Sequence, residues 1–101
     1  MGINLKSITT RLGYERITGL STPKGLNVPQ KDLNGLNAKP VIAIIMAEYQ
    51  DVRWRDDDID PTLYIGMPLP VGMVLQYDGD LSKIKFIETA GGAVLNVCYY
   101  S

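Results

Sequence analysis

The chain has 101 residues, of which 46% are hydrophobic and 21% charged, and its formal net charge is −1. This length corresponds to one domain that can bury a core without disulfides or metals. The chain contains no histidine and one cysteine, Cys98, which excludes an internal disulfide, a Cys/His zinc cluster and a histidine-assisted nucleophile. No run approaches the roughly 20 apolar residues of a membrane span, and no signal-peptide pattern is present, so we expect a cytosolic chain with no membrane partner.

The charge is distributed unevenly along the chain. Residues 1–40 contain six basic and two acidic side chains, whereas residues 41–80 contain two basic and eight acidic ones. Two interpretations remain open. The basic N-terminal part lies against the acidic surface of a neighbouring copy, or both parts are simply the solvated faces of one fold.

Residues 1–13 form an N-terminal segment that differs from the rest. Its apolar residues follow no strict period, and its basic residues occur without any acidic one. Such a segment is either an arm that docks on a neighbouring subunit or an edge strand of its own domain. We therefore take Ile3, Leu5, Lys6 and Arg11 as candidate interface residues.

The remaining residues, 14–101, are predicted to form a single all-β domain. Seven segments have strand-like alternation or β-branched composition, and turns rich in Gly, Pro, Asn and Asp separate them. The predicted strands are 14–18, 26–29, 41–49, 52–55, 73–77, 83–88 and 94–100. The pattern predicts a small antiparallel β-sandwich or jelly-roll-like domain of roughly seven strands, without a helix of ordinary length.

Two pairings are predicted from the turns. A turn at Gln50–Asp51 would fold strand 52–55 back against strand 41–49, which reads as buried on both faces. Asp78–Gly79 would join strands 73–77 and 83–88 in a hairpin, because this dipeptide favours tight hairpin turns. The loop at residues 30–40 is expected to lie on the surface.

Strand 52–55 leads into an acidic turn. Val52 and Trp54 alternate with two arginines, which places Trp54 toward the core. Four aspartates then occur within residues 56–60, just before Pro61. This run is either a turn whose side chains cap local backbone donors or a calcium site. It is not an EF-hand, since Pro61 and Met67 occupy the positions where that loop needs Gly and Glu.

The sequence contains none of the common catalytic motifs. No phosphate-binding glycine motif is present, and Glu48 and Glu88 are explained as charges at strand edges rather than as a glycosidase pair. Cys98 lies in an apolar strand without a histidine partner. The acidic run beside Trp54 would repel nucleic acid. We therefore expect no catalytic residues, no cofactor, no metal and no nucleic-acid partner.

From Val52 onward the chain contains an Arg-Trp-Arg-Asp-Asp strand end, an Asp-Pro-Thr turn, Gly66–Met67, a Tyr-Asp-Gly turn, an Ile-Lys-Phe-Ile strand and a terminal Leu-Asn-Val. In these features it resembles a group of small structural proteins of tailed bacteriophages, found among capsid-decorating (cement) proteins and other accessory virion components. Resembling sequences usually carry glycine at the position of Asp58. The candidate interface residues in this half are Arg53, Arg55, Asp57 and Tyr64.

This resemblance implies a β-sandwich virion protein that is made in the host cytoplasm. It implies a homo-oligomer whose partners are the major capsid protein or other virion proteins. A second class of function is a carbohydrate- or receptor-binding module of a tail or fibre. In that case the rings of Trp54, Tyr64 and Tyr77 would supply stacking faces.

Overall fold

The computed structural model describes residues 10–32 and 34–101, and within these ranges the chain is all-β. The described residues contain eight strands and no helix. The strands are β1 (Arg11–Ile17), β2 (Lys24–Gly25), β3 (Ile42–Glu48), β4 (Val52–Arg55), β5 (Met67–Leu69), β6 (Val74–Tyr77), β7 (Lys85–Glu88) and β8 (Val94–Tyr100). The predicted all-β class is confirmed, with one strand more than the seven expected.

The strands form two four-stranded sheets in which every pairing is antiparallel. One sheet has the order β1-β8-β3-β6 and the other the order β2-β7-β4-β5. β1 therefore pairs with β8, β2 with β7, β3 with β6 and β4 with β5, as in one long hairpin. This hairpin folds over itself, so that β3 also pairs with β8 and β4 with β7.

One hydrophobic core joins the two sheets. Alternate residues of β8 and β3 point inward from the first sheet, and Val52, Leu69 and Phe86 point inward from the second. Leu95, Val97 and Tyr99 are fully buried, as the alternation in the sequence predicts. The same clustered side chains thus hold both sheets.

The loops at the two ends of the fold differ in length. At one end the connections are short, and backbone hydrogen bonds tie them together: Thr89 N donates to Asp51 O, Gly72 N donates to Ala47 O, and Glu88 N donates to Leu20 O. At the other end three longer loops meet, and their described residues are 26–32 with 34–41, 56–66 and 78–84. Loops of this kind, held by a rigid scaffold, are where binding surfaces usually occur.

Both predicted pairings are wrong. β3 does not pair with β4, and β6 does not pair with β7, because in each case the two strands belong to different sheets. β3 already pairs with β8 and β6, and β7 with β2 and β4. A tight type I′ turn needs positive φ at both central residues, and neither Asp78 nor Gly79 has one. The Asp-Gly dipeptide here begins a crossing between sheets.

Smaller differences concern the strand positions. The second strand is Lys24–Gly25 rather than 26–29, and β1 begins three residues earlier than predicted, at Arg11. Its Leu12 lies in the core, so residues 11–13 belong to an edge strand of the domain. Residues 1–9 lie outside the described ranges, and the docking arm stays a prediction for them. The inward face of β3 is buried, but on its outward face Met46 is exposed.

A tyrosine–carboxylate hydrogen bond lies at the β1 side of the core. The hydroxyl of buried Tyr99 donates to the carboxylate of Glu15, which also accepts from the backbone N of Asn27 at 3.0 Å and from its side-chain Nδ2 at 3.0 Å. Burial, followed by this hydrogen bond, raises the pKa of Tyr99 above its ordinary value. The phenol is therefore held in its neutral form.

The raised pKa of Tyr99 predicts a loss of stability in alkali. The unfolded chain releases the phenolic proton near pH 10, whereas the folded chain retains it. Titration of Tyr99 therefore leaves the free energy of unfolding unchanged below about pH 10 and lowers it above that pH. Tyr99→Phe should reduce this decline by up to about 1.4 kcal/mol per pH unit, measured by urea unfolding between pH 8 and 11. Tyr64→Phe is the control, since Tyr64 is exposed. An equal change in both variants would contradict the assignment.

Candidate functional surface

The predicted interface residues do not all come together. Ile3, Leu5 and Lys6 lie outside the described residues. Arg11 lies on edge strand β1, where its guanidinium is 5.8 Å from the centre of the Tyr100 ring. The other four, Arg53, Arg55, Asp57 and Tyr64, lie on β4 or on the loop that follows it. That loop, residues 56–66, is the candidate functional surface.

Arg53 supports the 56–66 loop from below. Its Nε donates to Leu63 O at 3.2 Å and its Nη1 donates to Gly66 O at 2.9 Å. Thr62 orders the loop tip, because its hydroxyl accepts from Tyr64 N at 3.2 Å and from Ile65 N at 3.0 Å. Arg53 is thus a loop-holding residue rather than an exposed contact of its own.

This loop presents exposed apolar side chains. Tyr64 is 84% exposed, and three further apolar residues of the loop are also open to solvent. We call this group the apolar tip, and it consists of Ile59, Leu63, Tyr64 and Ile65. Apolar residues grouped on an ordered loop are typical of a protein-interaction site.

The acidic run at the start of the loop is divided among four partners. Asp57 pairs with Arg55, Asp58 with Lys83 at 3.3 Å and Asp60 with Lys85 at 3.2 Å. Asp56 accepts a 2.7 Å hydrogen bond from the hydroxyl of Tyr77. These partners are Arg55, Lys83, Lys85 and Tyr77.

Arg55 and Asp57 form the best-defined of these ion pairs. Arg55 Nε donates to Asp57 Oδ1 at 2.9 Å and its Nη2 donates to Oδ2 at 2.5 Å, so the contact is bidentate. This hydrogen bonding holds the pKa of Asp57 below its ordinary value. The carboxylates of the run therefore turn to separate partners, and within the described residues no group of three or more ligands converges in a way that could hold a metal ion.

Asp58 has the backbone conformation that glycine adopts most easily. Its φ is +65°. Side chains with a Cβ are disfavoured in this region, although Asp tolerates it better than most. Glycine would adopt this conformation without that cost.

A groove of about 420 Å³ runs beside Trp54. Trp54, Arg55, Asp57, Ile65 and Met67 are among its lining residues. The indole is partly buried and packs against the core, so the inward orientation predicted for Trp54 is right, but the residue lies at the margin of the core.

The predicted stacking surface is not assembled as expected. The Tyr77 ring is buried, its hydroxyl bonds to Asp56, and it meets Trp54 edge to face with the ring centres 5.8 Å apart. Burial, followed by the bond to Asp56, raises the pKa of Tyr77. Tyr77 therefore cannot offer a stacking face. Of the three rings proposed for stacking, namely Trp54, Tyr64 and Tyr77, only the Tyr64 ring is largely exposed to solvent.

A second exposed apolar group was not recognised from the sequence. It lies where β3 and β6 approach the short-loop end, and we call it the β3–β6 patch. Its members are Met46, Tyr49, Val71, Met73 and Val74. In the sequence, Met46 is the residue that could have indicated this patch. The apolar composition of its strand instead predicts burial on both faces.

Comparison with known proteins gives no relative. No family model, no curated protein and no solved structure matches the chain. Among the described residues, none form a helix that could cross a membrane.

Proposed function

We propose that this protein is a structural component of a bacteriophage virion that decorates or cements the capsid through protein–protein contacts. The observation that carries the proposal is the apolar tip, where four apolar side chains stand exposed on a loop ordered by Arg53 and Thr62. Exposed apolar groups on a rigid support suit a partner surface. The resemblance of residues 52–100 to small phage structural proteins supports a virion protein as that partner, and we propose the capsid as its position.

The strand path supports the same proposal. We interpret the order β1-β8-β3-β6 and β2-β7-β4-β5 as that of a double-sheet jelly roll, an architecture found in viral capsid proteins among others. A fold does not define a function, so the path adds weight only together with the exposed loop. On this proposal the protein is a homo-oligomer in the virion, made in the host cytoplasm, with the major capsid protein or other virion proteins as partners.

The test is binding to tailed-phage particles that lack the protein. We expect purified protein to co-sediment with them and to saturate at a fixed number of copies per particle. Tyr64→Ser should reduce occupancy at least about tenfold, because exposed aromatic anchors carry much of the affinity of such contacts. Leu36→Ser removes an exposed apolar residue outside the apolar tip and should have no effect.

The outcome also decides between virion positions. Binding that does not saturate, or an equal loss in both variants, would contradict capsid decoration. Binding to tails but not to capsids would move the protein to the tail. A density map of the saturated particle at the capsid surface would show the 56–66 loop in contact with capsid protein.

The second candidate is a carbohydrate- or receptor-binding module of a tail or fibre. The observation that favours it is the groove beside Trp54, which has an aromatic wall and polar residues at its rim. A glycan array with no hits would remove this candidate. We further propose that the protein is not an enzyme, since the chain contains no histidine. Its free cysteine, Cys98, therefore has no histidine to act as a base.

A further inference from the structure

Asn34 is the only asparagine of the chain that is followed by glycine. It lies at the tip of a small hairpin in the loop between β2 and β3, where an isolated antiparallel bridge joins Lys31 and Asn37. Asn34 and Gly35 are both exposed. The Asn-Gly dipeptide is therefore open to water in the folded protein.

The carboxamide of Asn34 differs from those of the other described asparagines. Each of the others is hydrogen-bonded to a neighbouring side chain, and the pairs are Asn27–Glu15, Asn37–Lys31 and Asn96–Glu48. Asn34 bonds only through its backbone N, which donates to Asp32 Oδ1 at 2.8 Å, and its side chain has no hydrogen-bond partner among the described residues. This side chain can therefore rotate toward the peptide bond that follows it.

Gly35 leaves the nitrogen of that peptide bond uncrowded by a side chain. Its φ is +80°, and even a Cβ at this position would meet nothing within 4 Å. Its N–H donates to Asp32 O at 3.1 Å, which is a bond inside the hairpin tip. Opening an exposed turn costs much less than unfolding the domain. The nitrogen of Gly35 thus becomes available to the Asn34 side chain while the domain stays folded.

We propose that Asn34 is a site of spontaneous deamidation in the folded protein. A base from solvent takes the N–H proton of Gly35, and the nitrogen attacks Cγ of Asn34. The new C–N bond closes a cyclic imide, the bond from Cγ to Nδ2 breaks, and Nδ2 leaves as ammonia with a proton taken from water. Water then opens the imide at either carbonyl, which gives aspartate or isoaspartate. This reaction is independent of the proposed function.

Both products add a negative charge beside Asp32, and isoaspartate also adds a methylene group to the main chain. In the unmodified hairpin Asp32 Oδ1 accepts from Asn34 N at 2.8 Å and from Leu36 N at 2.9 Å. A main chain lengthened between these two donors cannot keep both bonds in this geometry. Isoaspartate therefore opens the hairpin tip next to a groove of about 550 Å³, which Gln30 and Lys39 help to line.

Peptide mapping of the folded protein tests the proposal. The protein is kept in warm, mildly alkaline buffer, and tandem mass spectrometry assigns each conversion to its asparagine at successive times. We expect Asn34 to convert at least about tenfold faster than Asn27, Asn37 or Asn96, because these three must first break a hydrogen bond and each precedes a residue with a Cβ. Conversion at equal rates would overturn the assignment.

Two controls separate the site from its surroundings. Asn34→Gln keeps the carboxamide but disfavours closure of the imide, so it should abolish labelling by a methyltransferase specific for isoaspartate. Labelling that persists would assign the signal to another residue and overturn the proposal. Protein unfolded in urea gives the rates without structure, and folding should slow Asn34 less than Asn37. Conversion of Asn34 in urea alone would mean that the turn protects it, which would also overturn the proposal.

Hydrogen exchange tests the effect of the modification on the hairpin. In the isolated isoaspartate form the amide of Leu36 should exchange faster than in the unmodified protein, because its bond to Asp32 is lost. Asn34→Asp is the matched control, since it adds the charge without the methylene group, and it should show a smaller change. The amide of Ala43, on inner strand β3, should be unaffected in both. Unchanged exchange at Leu36 in the isoaspartate form would contradict the opening of the tip.

Discussion

Replacing Phe86 with alanine is expected to lower the free energy of unfolding by about 3–5 kcal/mol. Phe86 has no exposed surface, and it lies on β7, an inner strand that pairs with β2 and β4. Removing the ring leaves a cavity that rigid flanking strands cannot collapse to fill. Domains of this size have about 5–15 kcal/mol of stability in total, so the variant should approach the limit of folding. Urea unfolding monitored by circular dichroism measures the change.

Trp54→Ala is the comparison for Phe86→Ala. Trp54 lies opposite Phe86 on neighbouring strand β4, but its indole is partly buried beside the groove. We expect a smaller loss, about 2–3 kcal/mol, because solvent can fill part of the space that the ring leaves. A loss for Trp54 equal to that for Phe86 would mean that the core extends through the groove. A loss below about 1 kcal/mol would mean that the indole is exposed.

These two residues also show what the sequence could predict. Alternation assigns the face of each strand, so the inward positions of β8 and β4 followed from the pattern alone. Alternation does not say which strand is the neighbour, and the two hairpins inferred from local turns were wrong for that reason. The pairing depends on contacts between distant parts of the chain, such as β1 with β8.

The 56–66 loop shows the same limit for the candidate site. The sequence indicated an acidic turn and its arginines, but not which basic residues would meet the aspartates. Asp58 and Asp60 pair with Lys83 and Lys85, each 25 positions away, because the crossing after β6 passes beside the loop. The backbone carbonyls bound by Arg53 carry no sequence signal at all.

Gly66→Ala is expected to lower the free energy of unfolding by about 3 kcal/mol, which is the second large effect. Gly66 has a φ of +145°, and a Cβ at this position would lie 3.1 Å from Arg53 Cβ, 3.2 Å from Pro61 Cβ and 3.2 Å from Trp54 O. The cost has two parts, strain at a backbone conformation reserved largely for glycine and crowding against a strand that cannot move. Urea unfolding of the variant measures their sum.

Gly72→Ala separates the two parts of this cost. Gly72 also has a positive φ, +82°, but a Cβ there would meet nothing within 4 Å. Its replacement should therefore cost only the conformational part, about 1 kcal/mol. Equal losses for the two variants would contradict the crowding at Gly66.

The consequence of Gly66→Ala for binding follows from its contact with Arg53. The carbonyl of Gly66 accepts from the guanidinium that also holds Leu63, so moving this backbone releases the support of the apolar tip. At a temperature where both alanine variants are folded, Gly66→Ala should lose particle occupancy along with Tyr64→Ser, whereas Gly72→Ala should keep it. Full occupancy of the folded Gly66→Ala protein would show that the order of the loop does not matter for docking, and the apolar tip would then lose its role in the proposed function.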